Sequence, residues 1–241
     1  MNFKKYLNIR NYKNFFLYHF KSKYKKSYAQ CGEDIIIDAF LSGIGISKPT
    51  YIDIGTYHPI LNNNTYLFYT KGGHGICAEP DNTFFKLIQR NRKRDTCLNV
   101  GVGPTERAAA NFYKMSSHNL NTFSKEEADD TAQGTHYGKQ EIKSVVQIPL
   151  VTVNGLIGKY LKETAPDILS VDAEGYDFEI IKSVNLQKYR PKVICSETLR
   201  YDSDGKLEKE TGVAEYLLNN GYVLYADTYV NSIFVDQKLM K

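Results

Sequence analysis

The chain has no GxGxxG turn, no CxxC pair, no apolar run near bilayer length, and not one acid before Glu33. Each absence excludes something. Its four cysteines, Cys31, Cys77, Cys97 and Cys195, are scattered, and three sit in or at the end of expected strands. That pattern fits buried reduced thiols in a cytoplasmic protein, not a disulfide frame or a zinc site. No stretch approaches the ~20 apolar residues that span a bilayer. The N-terminus also lacks a signal-peptide apolar region and cleavage site. Without several glycines beside a helix N-terminus, a pyrophosphate has no close approach to the backbone.

The missing acids make the charge uneven. Lys4, Lys5, Arg10, Lys13, Lys21, Lys23, Lys25 and Lys26 precede Glu33; removing these eight from 31 basic residues leaves 23 against 27 acids, a remainder of −4. The basicity belongs to an arm, which argues against nucleic-acid binding by the body. Within this arm, residues 1–28, Ile9, Tyr12, Phe16, Phe20 and Tyr24 recur at helical spacing. A basic amphipathic helix there would lie on an anionic membrane surface or pack on the body or a second subunit.

What is present is alternation. Residues 29–241 fit one α/β domain. Its expected elements are a helix in GEDIIIDAFL with Ile36, Ala39 and Phe40 on one face, then strands at Tyr51–Ile54, Gly75–Glu79 and Thr96–Val100. A helix opens at Pro80-Asp81, and Ala108–Tyr113 and Val145–Leu150 read as further strands. They flank a polar insertion, residues 114–143, expected to be a functional or disordered loop. Strands at Ile168–Val171 and Val193–Ser196 follow, then a helix from Gly212 stopped by Gly221. The last two strands, Tyr222–Ala226 and Ser232–Val235, are linked too briefly for a parallel crossover and must be antiparallel.

Two of these strands end in carboxylates, Asp53 before Gly55 and Glu79 before Pro80, 26 residues apart. One strand–helix–strand unit of about 20 or more residues gives such a pair, with the second acid able to take a ribose diol. Thr56, Tyr57 and His58 are too bulky for a phosphate turn. A nucleoside without phosphates fits, and S-adenosylmethionine is the candidate: Asp53 and Asp172 at its amino-acid end, Glu79 at the ribose, Asn99 and Val100 at the adenine edge. DILSVDAEGYDFEII sets Asp172 and Glu174 past a strand's carboxyl end, where open α/β sheets bind ligands. Glu174 is otherwise a carboxylate at a helix start.

The motifs AQCGED, YIDIGTYHP, NNNTYLFYTKGGHGICAEP, DILSVDAEGYDFEII and VICSE together resemble the FkbM-type S-adenosylmethionine-dependent methyltransferases over about Ser27 to Asp236. Thr56-Tyr57 and Ala29 depart from that family's usual residues. The resemblance implies a class I methyltransferase fold: a Rossmann-like, seven-stranded, mostly parallel sheet with an antiparallel last strand and helices on both faces. It also implies O-methylation of sugar hydroxyls in glycans or glycosylated metabolites, with a free sugar, nucleotide sugar or polymer as acceptor. On these motifs Gln30, Gly55, Asn64 and Pro80 join the cofactor set.

A sugar hydroxyl needs a general base or a metal to become a nucleophile. His58, Glu174 and Glu197 are the candidates for base or substrate clamp; the alternative for His58 is a hydrogen bond within its own turn. A divalent ion on Asp172 and Glu197 is conceivable, but no dense acidic cluster compels it, and no metal is expected. His118 and Asn119, within SSHNLNTF, are candidate substrate contacts. The rival readings are a nicotinamide-dependent oxidoreductase, disfavoured by the missing phosphate turn, and a binding or scaffold module that has lost catalysis.

Overall fold

The computed structural model describes residues 26–134, 138–201 and 206–240. The helix expected within residues 1–28 therefore lies almost wholly outside the described residues.

Seven strands form the main sheet: β1 (Thr50–Ile54), β2 (His74–Ala78), β3 (Thr96–Leu98), β7 (Ile168–Val171), β8 (Val193–Glu197), β11 (Tyr222–Asp227) and β12 (Asn231–Asp236). Their spatial order is β11-β12-β8-β7-β1-β2-β3. All pairs from β8 to β3 are parallel, while β12 runs antiparallel to both of its neighbours. The short link after β11 forces that reversal, and β12 slots between β11 and β8. This is the class I methyltransferase sheet.

Alternate residues of each strand enter opposite faces, as the pleat dictates. One core gathers Ile52, Ile54, Ile76, Leu169, Val171, Ile194 and Phe234. It is covered by α5 (Val153–Tyr160), α6 (Asp177–Ser183) and α7 (Gly212–Asn219), which bring Leu156, Ile157, Ile180, Ile181, Val213 and Leu217. The other gathers Tyr51, Cys77, Ile168, Val193, Cys195, Ile233 and Val235. Its cover is α1 (Glu33–Gly43), α2 (Tyr66–Thr70) and α3 (Asn82–Asn91), through Ile37, Leu41, Phe68 and Ile88.

Three expectations need correction. The buried face of α1 is Ile37, Phe40 and Leu41, and Ala39 is exposed. Two buried acids at the helix start, Glu33 and Asp34, belong to the same inward face. The third strand stops at Leu98, because Asn99 donates through Nδ2 to the carbonyls of Glu79 and Pro80 instead of continuing the ladder. The polar insertion is largely folded. It contains a short 3-10 turn, His118–Leu120, and α4 (Lys125–Gln133). Ser124 caps α4 by accepting from Glu127 N, the first half of a Ser-x-x-Glu capping pattern. This segment packs Ala128 against Tyr113, Met115 and Leu120. Its platform is a second sheet in which β6 (Ile142–Val151) lies between β4 (Gly101–Val102) and β5 (Arg107–Met115), while β9 (Leu199–Tyr201) and β10 (Leu207–Lys209) form a separate antiparallel pair.

Gly221 has φ +75 and follows α7, the left-handed residue expected beyond a helix end.

Candidate active site

The carboxyl ends of β1, β2, β7 and β8 open into a cavity of about 330 Å³. Ten of the residues singled out in the sequence line it: Gln30, Gly55, Glu79, Pro80, Val100, His118, Asn119, Asp172, Glu174 and Glu197. Asp53, His58, Asn64 and Asn99 do not.

Gly55 turns the chain at the end of β1 with φ +72. A Cβ there would sit 1.8 Å from the Asp172 carbonyl oxygen, so the β1 and β7 turns meet backbone to backbone. Tyr57 follows, also left-handed at φ +51, with its ring centroid 4.3 Å from that of Phe84. Its N–H donates to Glu79 Oε2 at 2.8 Å, and Asp81 N donates to Oε1 at 2.8 Å. Each carboxylate oxygen of Glu79 thus has one backbone donor and a remaining lone pair for a ligand. Burial raises its pKa to about 7, against the lowering effect of those two amides.

Asp81 secures the neighbouring rim. It caps α3 through Thr83 N, pairs with Lys114 Nζ at 2.9 Å, and accepts from Asn121 Nδ2 at 3.3 Å. The 3-10 turn carrying His118 and Asn119 is thereby set over the cavity, with both residues exposed at its edge. Elsewhere at the cavity, Asp34 accepts from Ser27 Oγ and Tyr28 N. Glu33 accepts from Cys31 N, Thr228 Oγ1 and Asn231 Nδ2. These two buried acids fasten the loop that carries Gln30.

The far wall is acidic. Oxygens of Asp172, Glu174 and Glu197 lie within 4.8 Å of one another. Burial first, and then the charge of Asp53, raises Asp172 to about 6. Glu174 and Glu197 stand well above the ordinary carboxylate range, through burial and then repulsion from the neighbouring acids. Behind them Asp177, pushed to about 8 by burial and by Asp172, accepts Ala173 N at 3.3 Å on both oxygens. Glu174 is held at φ +44, and its carbonyl accepts from Thr122 Oγ1 at 2.7 Å. The cavity wall carries four carboxylates and, among the described residues, no lysine or arginine. It suits a nucleoside without phosphates. Carboxylates so spaced also suit a hard divalent cation, but an acidic cluster alone assigns none.

The four residues outside the cavity have definite places. Asp53 points to the α1–α3 face, where Thr65 Oγ1 donates to it at 2.7 Å and Asn63 Nδ2 at 3.2 Å. The pleat sends it there with Tyr51, away from Ile52 and Ile54. Asn64 Nδ2 donates to Ser170 Oγ at 3.3 Å. Asn99 holds the β2–α3 turn from behind. His58 Nδ1 accepts from Ile60 N and Leu61 N at 3.1 and 2.9 Å, which occupies that nitrogen in its own turn. Partial burial lowers its pKa.

Sequence reasoning did not find Asn63, Arg92, Thr122 or Asp177. Asn63 stands in a run of three asparagines and Arg92 in a basic stretch, Arg90 to Arg94, so neither is marked out by its neighbours.

The family model described as Methyltransferase FkbM domain matches residues 53–224. No curated protein matches the chain. Among solved structures, it is similar to a TehB-like SAM-dependent methyltransferase from Corynebacterium glutamicum at 9% identity, with 95% of this chain and 100% of that one covered and a TM-score of 0.43. A second is precorrin-6y C5,15-methyltransferase from Geobacter metallireducens, at 15% identity, 79% and 72% coverage and TM-score 0.36. A third is magnesium protoporphyrin IX methyltransferase from Synechocystis with bound SAM, at 8% identity, 96% and 97% coverage and TM-score 0.39. The strand order, not these distant likenesses, carries the fold. The family model spans well over half of the chain and all four strand ends that build the cavity, and the protein is therefore a member of the FkbM methyltransferase family, with S-adenosylmethionine as its methyl donor.

Proposed function

We propose that the protein transfers a methyl group to a sugar hydroxyl, as a step in glycan or surface polysaccharide assembly. The observation that carries this reading is the carboxylate cluster of Asp172, Glu174 and Glu197, whose oxygens lie within 4.8 Å of one another on the cavity wall; burial and mutual repulsion raise Glu174 and Glu197 well above the usual carboxylate range. S-adenosylmethionine supplies an electrophilic methyl carbon and departs as S-adenosylhomocysteine.

The chain's own residues do the rest. Gly55 lets the donor lie against backbone, and Glu79 takes the ribose hydroxyls on its two free lone pairs. Asp172 stands where the positively charged end of the donor is favoured. Of Glu174 and Glu197, one carboxylate takes the hydroxyl proton as the C–O bond forms, and the other holds the shared proton or a neighbouring hydroxyl. A base with a raised pKa is better matched to an alcohol than an ordinary carboxylate. His118 and Asn119 offer polar contacts to the acceptor beside Phe123. Within this reading His58 is not the base, since its Nδ1 is occupied and it does not line the cavity.

Incubating the protein with S-adenosylmethionine and saccharide acceptors, and following products by mass spectrometry, tests the proposal. A gain of one methylene on a sugar oxygen supports it, and methylation on nitrogen or carbon alone overturns it. For the arm of residues 1–28 the proposal is contact with an anionic membrane surface from the cytoplasmic side. Salt-sensitive sedimentation with anionic liposomes, lost on deleting residues 1–26, is expected; sedimentation unchanged by the deletion rules it out.

A further inference from the structure

Asn63 is 2% exposed and does not line the cavity, yet its side chain has seven hydrogen-bond partners. Its Nδ2 donates at 3.2 Å to the carbonyls of Thr56 and His58 and to Asp53 Oδ2. Its Oδ1 accepts from Thr65 N, Thr65 Oγ1, Tyr66 N and Arg92 Nη1 at 3.0, 3.1, 2.8 and 3.2 Å. Arg92 is fully buried and braces the same loop. It donates to Pro59 O, Thr65 Oγ1 and Tyr51 OH, while its Nε pairs with Asp95 at 2.7 Å.

The two carbonyls held by Asn63 bracket Tyr57. That residue has left-handed φ and donates through its N–H to Glu79. A non-glycine residue stays in this region only where its surroundings hold it. The Asn63 amide is the group that holds it on both sides.

We propose that Asn63, oriented by Arg92, is a positioning residue for the methyl donor: it fixes the Tyr57 backbone and, through the Tyr57 N–H, the carboxylate of Glu79. The claim rests on Glu79 being a donor contact, and its test needs no acceptor. Asn63→Asp keeps an oxygen for Thr65 N, Tyr66 N and Arg92 but replaces the donor with an acceptor facing two carbonyls and Asp53. The grip on the turn is lost, together with the donor to Asp53.

Calorimetry with S-adenosylhomocysteine on the full chain should show Asn63→Asp raising Kd at least about tenfold, the cost of one misplaced buried donor. In a Glu79→Ala background, which removes the acceptor of the Tyr57 N–H, the same substitution should cost less than about threefold, because the two act through one hydrogen bond. A general structural defect would instead multiply with the Glu79 effect. Should Asn63→Asp not fold, Arg92→Lys, which keeps the charge beside Asp95 but loses the fork to Asn63, is run through the same cycle with the same expectation. Wild-type affinity in the variant that folds, or multiplicative effects across the cycle, overturns the proposal. Failure of the wild-type chain to bind S-adenosylhomocysteine would instead strike the donor-site reading beneath it.

Discussion

Gly55 and Asp172 touch through their backbones: a Cβ on Gly55 would lie 1.8 Å from the Asp172 carbonyl oxygen. The two turns they occupy come from strands adjacent in the sheet but more than one hundred residues apart in sequence. Both hydrogen bonds that close the turns, Gly55 N to Ala78 O and Asp172 N to Ile54 O, are 3.1 Å long. Gly55→Ala must therefore part the strand ends and adopt φ +72. It should destabilise the fold by roughly 2–4 kcal/mol and remove measurable S-adenosylhomocysteine binding. Chemical denaturation and calorimetry read the two effects; unchanged binding would mean that the donor does not lie on this turn.

On the proposed ribose contact, Glu79 makes donor binding depend on pH near neutrality. Burial pushes its pKa up to about 7, and in the proposed contact ribose hydroxyls donate to the ionised form. Binding therefore pulls the pKa down and releases a proton near neutrality. Affinity for S-adenosylhomocysteine should rise as pH passes from roughly 6 to 8, with a heat that varies with the buffer's ionisation enthalpy. Glu79→Gln should remove the part of the rise centred near pH 7 and leave that of Asp172 near pH 6, and Glu79→Ala should weaken binding at least about tenfold. A buffer-independent heat for the wild-type chain would contradict a ribose contact at Glu79.

In the proposed reaction the carboxylate pair Glu174 and Glu197 governs the chemical step. Glu174→Gln and Glu197→Gln should each leave S-adenosylhomocysteine affinity within about threefold, while the substitution that removes the base lowers kcat by roughly 10²–10⁴. Because both groups are raised by burial and by neighbouring acids, activity should climb with pH through an apparent pKa above the ordinary carboxylate range. Removing either partner relieves the repulsion and should shift the remaining profile to lower pH. Two variants with wild-type kcat would exclude both as base.

The strand ends were legible because strand alternation and terminal acids are local signals. Gly55, Glu79, Asp172, Glu174 and Glu197 could be read from short motifs, and all five meet at the cavity. Asp53 carried the same kind of signal, yet the pleat turns it to the opposite face, where it meets Thr65 and Asn63. A motif gives a residue's distance from the strand end; which side it faces depends on the register of the whole sheet. Asn63 and Arg92 illustrate the other limit. Their roles arise from contacts 29 residues apart, and an arginine after a helix reads from sequence as a solvated cation. The folded part of the insertion was legible in principle, since Ser124 and Glu127 form a helix-start pattern.

Buried acids also make the apo protein less stable as pH rises. Glu79, Asp172 and Asp177 have folded pKa values of about 7, about 6 and about 8, against ordinary values of 4.5, 3.8 and 3.8. Between those limits the folded state binds more protons than the unfolded chain, so stability falls with increasing pH. Asp81, Asp227 and Asp236 are shifted the other way, and their contribution is lost only in acid, below the window concerned. His58, lowered by partial burial, opposes the trend as a single group. The thermal midpoint without ligand should therefore be higher near roughly pH 5.5 than near roughly pH 8.5. Asp177→Asn isolates the largest of these shifts. It keeps an oxygen for Ala173 N and removes the buried charge beside Asp172, so it should raise the midpoint by about 3 °C or more at the alkaline end and change it little at the acid end. Equal destabilisation at both ends would show that Asp177 acts through its hydrogen bonds and not its charge.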